Sequence, residues 1–127
     1  MESAAVHKLW GSYRTLAYGE GYRVKELMVK PGGVLSLSRH TGRVEKWIIV
    51  SGNGTVEVGQ DVWGVGYGDI VIVDRYVLHR MWNPNTEPVV FVEVWLGDSF
   101  SESDLERKEL SMASGAVELE RLKRFNR

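Results

Sequence analysis

Apolar, β-branched and aromatic residues gather in short β-rich runs through the middle of the chain. The runs are Tyr22–Val29, Val34–His40, Lys46–Val50, Thr55–Val58, Asp61–Val65, Ile70–Val73, Val77–Trp82 and Val89–Leu96. Turn-forming residues separate them: Pro31-Gly32-Gly33, Ser51-Gly52-Asn53-Gly54, Gly59-Gln60, Gly66-Tyr67-Gly68-Asp69 and Asn83-Pro84-Asn85. Short β-rich runs at this regular spacing predict an all-β sandwich or barrel. No helical period of useful length interrupts them, so a doubly wound α/β sheet is not expected. The tail has a different pattern. Ser103-Asp104-Leu105-Glu106 reads as a helix start with an acidic first turn. Val117, Leu119, Leu122 and Phe125 give a helix-like apolar set among charged neighbours, after a break at Ser111-Met112-Ala113-Ser114-Gly115. The expected organisation is a β-barrel domain over residues 1–110 and a helical or partly disordered tail over 111–127. That tail is left to pack on the barrel, contact a second copy or fray.

Composition narrows the class. The chain has 127 residues, enough for one domain that buries roughly two-thirds of its unfolded surface. It has no cysteine, which excludes disulfides, thiolate metal ligands and cysteine nucleophiles. Its net charge is −1 with acids and bases interspersed, so it lacks the basic footprint of a nucleic-acid binder. No apolar run is long enough for a membrane span. Met1–Val6 shows neither a basic n-region nor an apolar h-region, and a cytoplasmic location is expected.

Two spaced patterns carry the chemistry. The first places Ser38, His40, Glu45 and Gly52 after Gly32, with five, one, four and six residues between successive members. The second runs from Gly68 through Asp74, Tyr76 and His79 to Asn83. Side chains two apart on a strand share a face, so Ser36, Ser38 and His40 look the same way. Polar inward groups at the mouth of a small barrel define a ligand site. Two imidazoles and one carboxylate converging there suit a divalent transition metal with open positions. A lone strand His is more often structural, but two of only three in the chain fall at these positions.

These patterns resemble the two motifs of the cupin superfamily, whose fold is a double-stranded β-helix, or jelly-roll, barrel. Ser38 stands where His or Gln is usual, Asp74 where Pro is usual and Tyr76 where Gly is usual. The resemblance extends further. Leu9-Trp10-Gly11-Ser12-Tyr13, Lys25, Lys30-Pro31-Gly32, Leu35-Ser36-Leu37, Arg43-Val44-Glu45-Lys46-Trp47, Val50-Ser51-Gly52, His79-Arg80, Asn83, Phe91-Val92-Glu93-Val94 and Gly97 are similar in order to the type II mannose-6-phosphate isomerase cupin. That domain is also the C-terminal part of bifunctional mannose-1-phosphate guanylyltransferase/mannose-6-phosphate isomerases. The resemblance covers about residues 8 to 108. It implies a metal-dependent interconversion of mannose 6-phosphate and fructose 6-phosphate, with His40, Glu45, His79 and the position of Ser38 as ligands of a Zn, Mn, Ni, Co or Fe ion. Gly42, Lys46 and Glu26 depart from that family and are read as lying in the pocket region. No Gly-rich nucleotide loop precedes a helix in these residues, so no guanylyltransferase half is expected in them.

Aldose–ketose isomerisation needs a base, an electrophile and a phosphate clamp. Glu93 is the candidate base, and Lys25, Arg43 and Arg80 are candidates for phosphate or hydroxyl contacts. Each has a structural alternative: Glu93 paired with Lys25, Arg43 and Arg80 exposed, and Trp47, Trp63, Trp82 and Trp95 in the core or a dimer contact rather than stacked on sugar. Two other functions stay open: a non-catalytic carbohydrate-binding or regulatory cupin, and a non-haem metal oxygenase. The expected partners are a small sugar phosphate and, because a barrel's edge strands want cover, a second copy in a homodimer.

Overall fold

Each run ends where backbone geometry turns the chain. Between Val58 and Asp61 the two-residue loop Gly59-Gln60 has φ 63° at its glycine, the signature of a type II′ hairpin turn. At Gly52 φ is 76°, and an added Cβ would collide with the Pro88 carbonyl oxygen. The last glycine of the first motif therefore serves a close backbone approach.

The computed structural model describes residues 4–100 and 105–108. It contains eleven strands: β1 (Val6–Lys8), β2 (Gly11–Gly19), β3 (Tyr22–Val29), β4 (Leu37–His40), β5 (Arg43–Ser51), β6 (Gly54–Val58), β7 (Asp61–Val65), β8 (Ile70–Val73), β9 (His79–Trp82), β10 (Val89–Gly97) and β11 (Leu105–Lys108). They form two sheets, ordered β1-β2-β3-β10-β5-β8 and β11-β4-β9-β6-β7. Among the described residues no helix is long and apolar enough to cross a membrane.

Each of the eight expected runs overlaps a strand. β1, β2 and β11 were not anticipated. β11 replaces the expected helix start: Leu105–Lys108 pairs antiparallel with Leu37–His40. The ladder offered by the free edge of β4 outweighs a weak local helix preference. The expected boundary at residue 110 and the tail beyond it lie outside the described residues.

Strand β10 is the hub of the first sheet, paired along its length with β3 on one side and β5 on the other. Its inward residues are Val89, Phe91, Glu93 and Trp95, all buried. Register then builds rungs across the sheet. Leu27, Phe91 and Ile49 make one; Lys25, Glu93, Trp47 and Val71 the next; Arg23, Trp95, Glu45 and Val73 the one above. The lower rungs meet Val56 and Met81 of the second sheet in one apolar core. That end is also tied shut by Asn83, whose Nδ2 donates to Val29 O at 3.0 Å and Glu87 O at 2.7 Å. The upper rungs carry the buried polar groups, Glu93 and Glu45, with Lys25 and Arg23 beside them. The outer side of the first sheet remains apolar and partly exposed at Ile48, Val50, Ile70 and Ile72.

Candidate active site

Three elements bring the expected donors together. His40 ends β4, Glu45 lies in β5 and His79 opens β9. All three are buried, and one ligand atom from each falls within 4.8 Å of the others. His40 Nε2 is 3.0 Å from Glu45 Oε2, and His79 Nε2 is 3.8 Å from Glu45 Oε1. Ser38 is the register partner of His79 across β4 and β9, so it faces the same interior.

Hydrogen bonds orient these groups. His79 Nδ1 lies 2.9 Å from Val77 O, the arrangement that places its proton there and leaves Nε2 free to donate a lone pair. Arg43 Nε donates to Glu45 Oε2 at 2.9 Å, and its NH2 lies 3.0 Å from His40 Nε2. His40 Nδ1 is buried with no hydrogen-bond partner among the described residues. The turn after β8 also helps: Tyr76 N donates to His40 O at 2.8 Å. Tyr76 sits at φ 69°, so the position where cupins usually carry Gly has left-handed backbone here too, with a tyrosine bearing the strain.

A second carboxylate completes the pocket. Glu93 is buried on the rung below Glu45. Each glutamate is held by the tryptophan two residues on: Trp47 Nε1 donates to Glu45 Oε1 at 2.9 Å, and Trp95 Nε1 to Glu93 Oε1 at 3.0 Å. The two Glu-x-Trp segments pair antiparallel, so Glu45 stands opposite Trp95 and Glu93 opposite Trp47. The repeat of Glu-x-Trp at 45–47 and 93–95 was visible in the sequence but not used.

The environments push the two carboxyls apart. Burial raises the Glu45 pKa, but the hydrogen bond with His40 and the charges of His79 and Arg43 prevail and hold it at about 2. Burial, followed by the nearby Glu45 charge, lifts Glu93 to about 8; the Trp95 bond, Arg43 and Lys25 only moderate this. His79 is lowered, chiefly by burial, against the pull of Glu45. Glu45 is thus ionised and Glu93 largely protonated near neutrality.

The other expected residues divide. Arg43 is inside the pocket. Lys25 is the register partner of Glu93, and its Nζ lies 4.3 Å from the Trp95 ring centroid. Arg80 faces the other way. It follows His79 on β9, so alternation sends it to the outer side, where its Nε donates to Glu57 at 3.1 Å. Trp47 and Trp82 are buried, while Trp63 is partly exposed on β7. Of the departures from the family, Lys46 and Glu26 also lie outside the pocket. Lys46 is exposed on the outer face, and Glu26 accepts from Arg14 Nε there at 3.1 Å. Arg23 was missed, though it shares a rung with Trp95 and Glu45.

Two imidazole nitrogens and one ionised carboxylate, buried and convergent, fit a borderline divalent cation by donor type. Arg43 already brings positive charge to the same atoms.

Two antiparallel sheets with a polar site between them at one end define a cupin barrel. A cupin-2 domain protein from Rhodospirillum rubrum has the same fold, with TM-score 0.67 and 23% identity over 85% of this chain and 70% of that one. The capsular polysaccharide assembling protein CapF of Staphylococcus aureus matches with TM-score 0.73 and 19% identity, over 84% of this chain and 34% of that one. The chain belongs to the family described as mannose-6-phosphate isomerase C-terminal, whose profile matches residues 1–110. It is 36% identical over 104 residues to the xanthan biosynthesis protein XanB of Xanthomonas campestris pv. campestris and to the alginate biosynthesis protein AlgA of Pseudomonas aeruginosa. It is 30% identical to a mannose-1-phosphate guanylyltransferase of Salmonella muenchen. Each alignment covers 82% of this chain but only 22% of the relative.

Proposed function

We propose that this cupin isomerises a sugar phosphate, mannose 6-phosphate to fructose 6-phosphate, in the supply of polysaccharide precursors. The observation that carries the reading is a second buried carboxyl, Glu93, on the rung next to Glu45 and its two histidines, with the environments of the two carboxyls pushing their pKa values in opposite directions. Such opposed pairs mark acid/base assignments. Membership of the isomerase family and the kinship with exopolysaccharide proteins supply the substrate class.

The residues divide the work. His40, Glu45 and His79 would hold a divalent cation, which when bound supplies polarisation of a sugar oxygen. Glu93 carries the carbon proton of the open-chain sugar: its carboxylate form removes it from C2 and the resulting acid returns it to C1, while the hydroxyl proton passes from O2 to O1 through the enediol. A group with pKa about 8 is well matched to that exchange near neutral pH. Trp95 fixes the carboxyl through its indole N–H. Arg43 keeps Glu45 ionised and oriented.

The test is turnover of mannose 6-phosphate by the full chain with added Zn, Mn, Co, Ni or Fe. Glu93→Gln should lower kcat roughly 100-fold or more, the usual scale for losing a positioned acid/base. Unchanged activity in His79→Ala would sink the metal-centred version. Ser38 keeps a second reading in play, because it puts a hydroxyl where the family has a Gln ligand. That reading is a non-catalytic carbohydrate-binding cupin, identified by sugar-phosphate binding without turnover under every metal.

A further inference from the structure

Three cationic heads gather on one indole. The Arg43 Cζ lies 3.5 Å from the Trp95 ring centroid, the Lys25 Nζ 4.3 Å and the Arg23 Cζ 5.8 Å. Lys25 is also 4.5 Å from the Tyr13 centroid, and Arg23 is 5.6 Å from that of Phe100. Aromatic faces hold cations, but they do not neutralise them. Glu45 balances Arg43. Among the described residues no carboxylate lies within ion-pair distance of Arg23.

Their position matters as much as their charge. Arg23 and Lys25 are successive inward residues of β3, both half-buried, level with Glu45 and Glu93. Both keep part of their surface exposed, while Glu45 and Glu93 on the same rungs are buried. A half-buried guanidinium costs desolvation unless an anion meets it. Its fork suits the oxygens of a tetrahedral oxyanion, and an ammonium adds a point charge.

We propose that Arg23 and Lys25, seated on Trp95, form the binding site for the phosphate monoester of the substrate. The sugar attached to that phosphate rests on the isomerase reading, whereas the phosphate contact does not need a metal. The test uses chelator-treated full chain, titrated with inorganic phosphate, mannose 6-phosphate and mannose, and read by tryptophan fluorescence and calorimetry. Arg23→Gln should weaken inorganic phosphate and mannose 6-phosphate by roughly tenfold or more, the scale of a lost charge-assisted hydrogen bond, and leave mannose unchanged. Arg23→Lys should recover part of the loss. With turnover present, Arg23→Gln should raise KM more than it lowers kcat. Equal phosphate affinity in a folded Arg23→Gln protein with wild-type Tm overturns the proposal, even if isomerisation is found. Phosphate binding that depends on Arg23 without any turnover supports it and removes the isomerase reading instead.

Discussion

The inner side of β10 passes through two chemistries within nine residues. Val89 and Phe91 lie among Val29, Leu27, Ile49 and Met81 with no polar atom to satisfy. Glu93 and Trp95 lie among Lys25, Arg23, Arg43, Glu45 and two histidines. The lower half stabilises: buried apolar area is worth about 25 cal/mol per Å² and demands little directional precision. The upper half is a burden on the fold, because buried ionised groups recover their desolvation only with well-placed partners. The comparison teaches that this barrel's closed end holds in place an open end that would not hold itself.

Four changes would break or sharpen that contrast. Phe91→Ala should have the largest effect on stability, about 3–5 kcal/mol in denaturant titration, by leaving a cavity between the sheets. Arg43→Met should cost about 2–3 kcal/mol, because it removes a charged donor from the buried Glu45 carboxylate and leaves it only Trp47 and His40. A divalent metal should restore more of the lost Tm in Arg43→Met than it adds to the wild type, since it supplies the missing positive charge. Equal metal responses would mean that Arg43 and a cation do not share the same donors.

The third change concerns pH. Glu93 binds its proton more tightly folded than unfolded, about 8 against 4.5, so its contribution is complete below pH 4.5 and lost as pH rises towards 8. Glu45 has the opposite sign, about 2 against 4.5: its contribution is present above pH 4.5 and lost as pH falls towards 2. His79, kept neutral by burial, loses its contribution as pH falls through 6.5. In chelator, Glu93→Gln should therefore remove the decline in Tm between pH 4.5 and 8 and expose a drop below pH 6.5, while the loss below pH 4.5 persists. An unchanged slope above pH 6.5 would return Glu93 to an ordinary carboxylate. The smallest effect is expected at Tyr76→Gly, a gain of about 0.5–1 kcal/mol from relieving left-handed backbone at an exposed tyrosine.

Much of this arrangement was legible in the residues. Strands β3, β7 and β8 have the expected bounds, with turn residues close to their ends. Strand β2 was hidden because its period breaks: the register with β3 shifts between Thr15 and Ala17. Strand β11 has no apolar alternation to read and exists through pairing alone. His40, Glu45 and His79 were readable because their motif spacing is kept, although they come from two facing sheets rather than one face. Arg80 was misplaced by its neighbour: adjacency to a pocket residue on a strand means the opposite side of the sheet. Arg23 was overlooked for a related reason, since an arginine on a β-strand suggests solvent until the sheet closes and gives it depth.

The double pairing of β10 bears on how this protein tolerates change in length. Both flanks of the strand are engaged, by β3 and by β5, and its four inward residues supply both the packing and the pocket. A one-residue insertion near its middle would turn Glu93 and Trp95 outward and carry Val92 and Val94 in. No edge is free to absorb the slip. Length variants should therefore be accepted at the Gly59-Gln60 turn and rejected within residues 89–97.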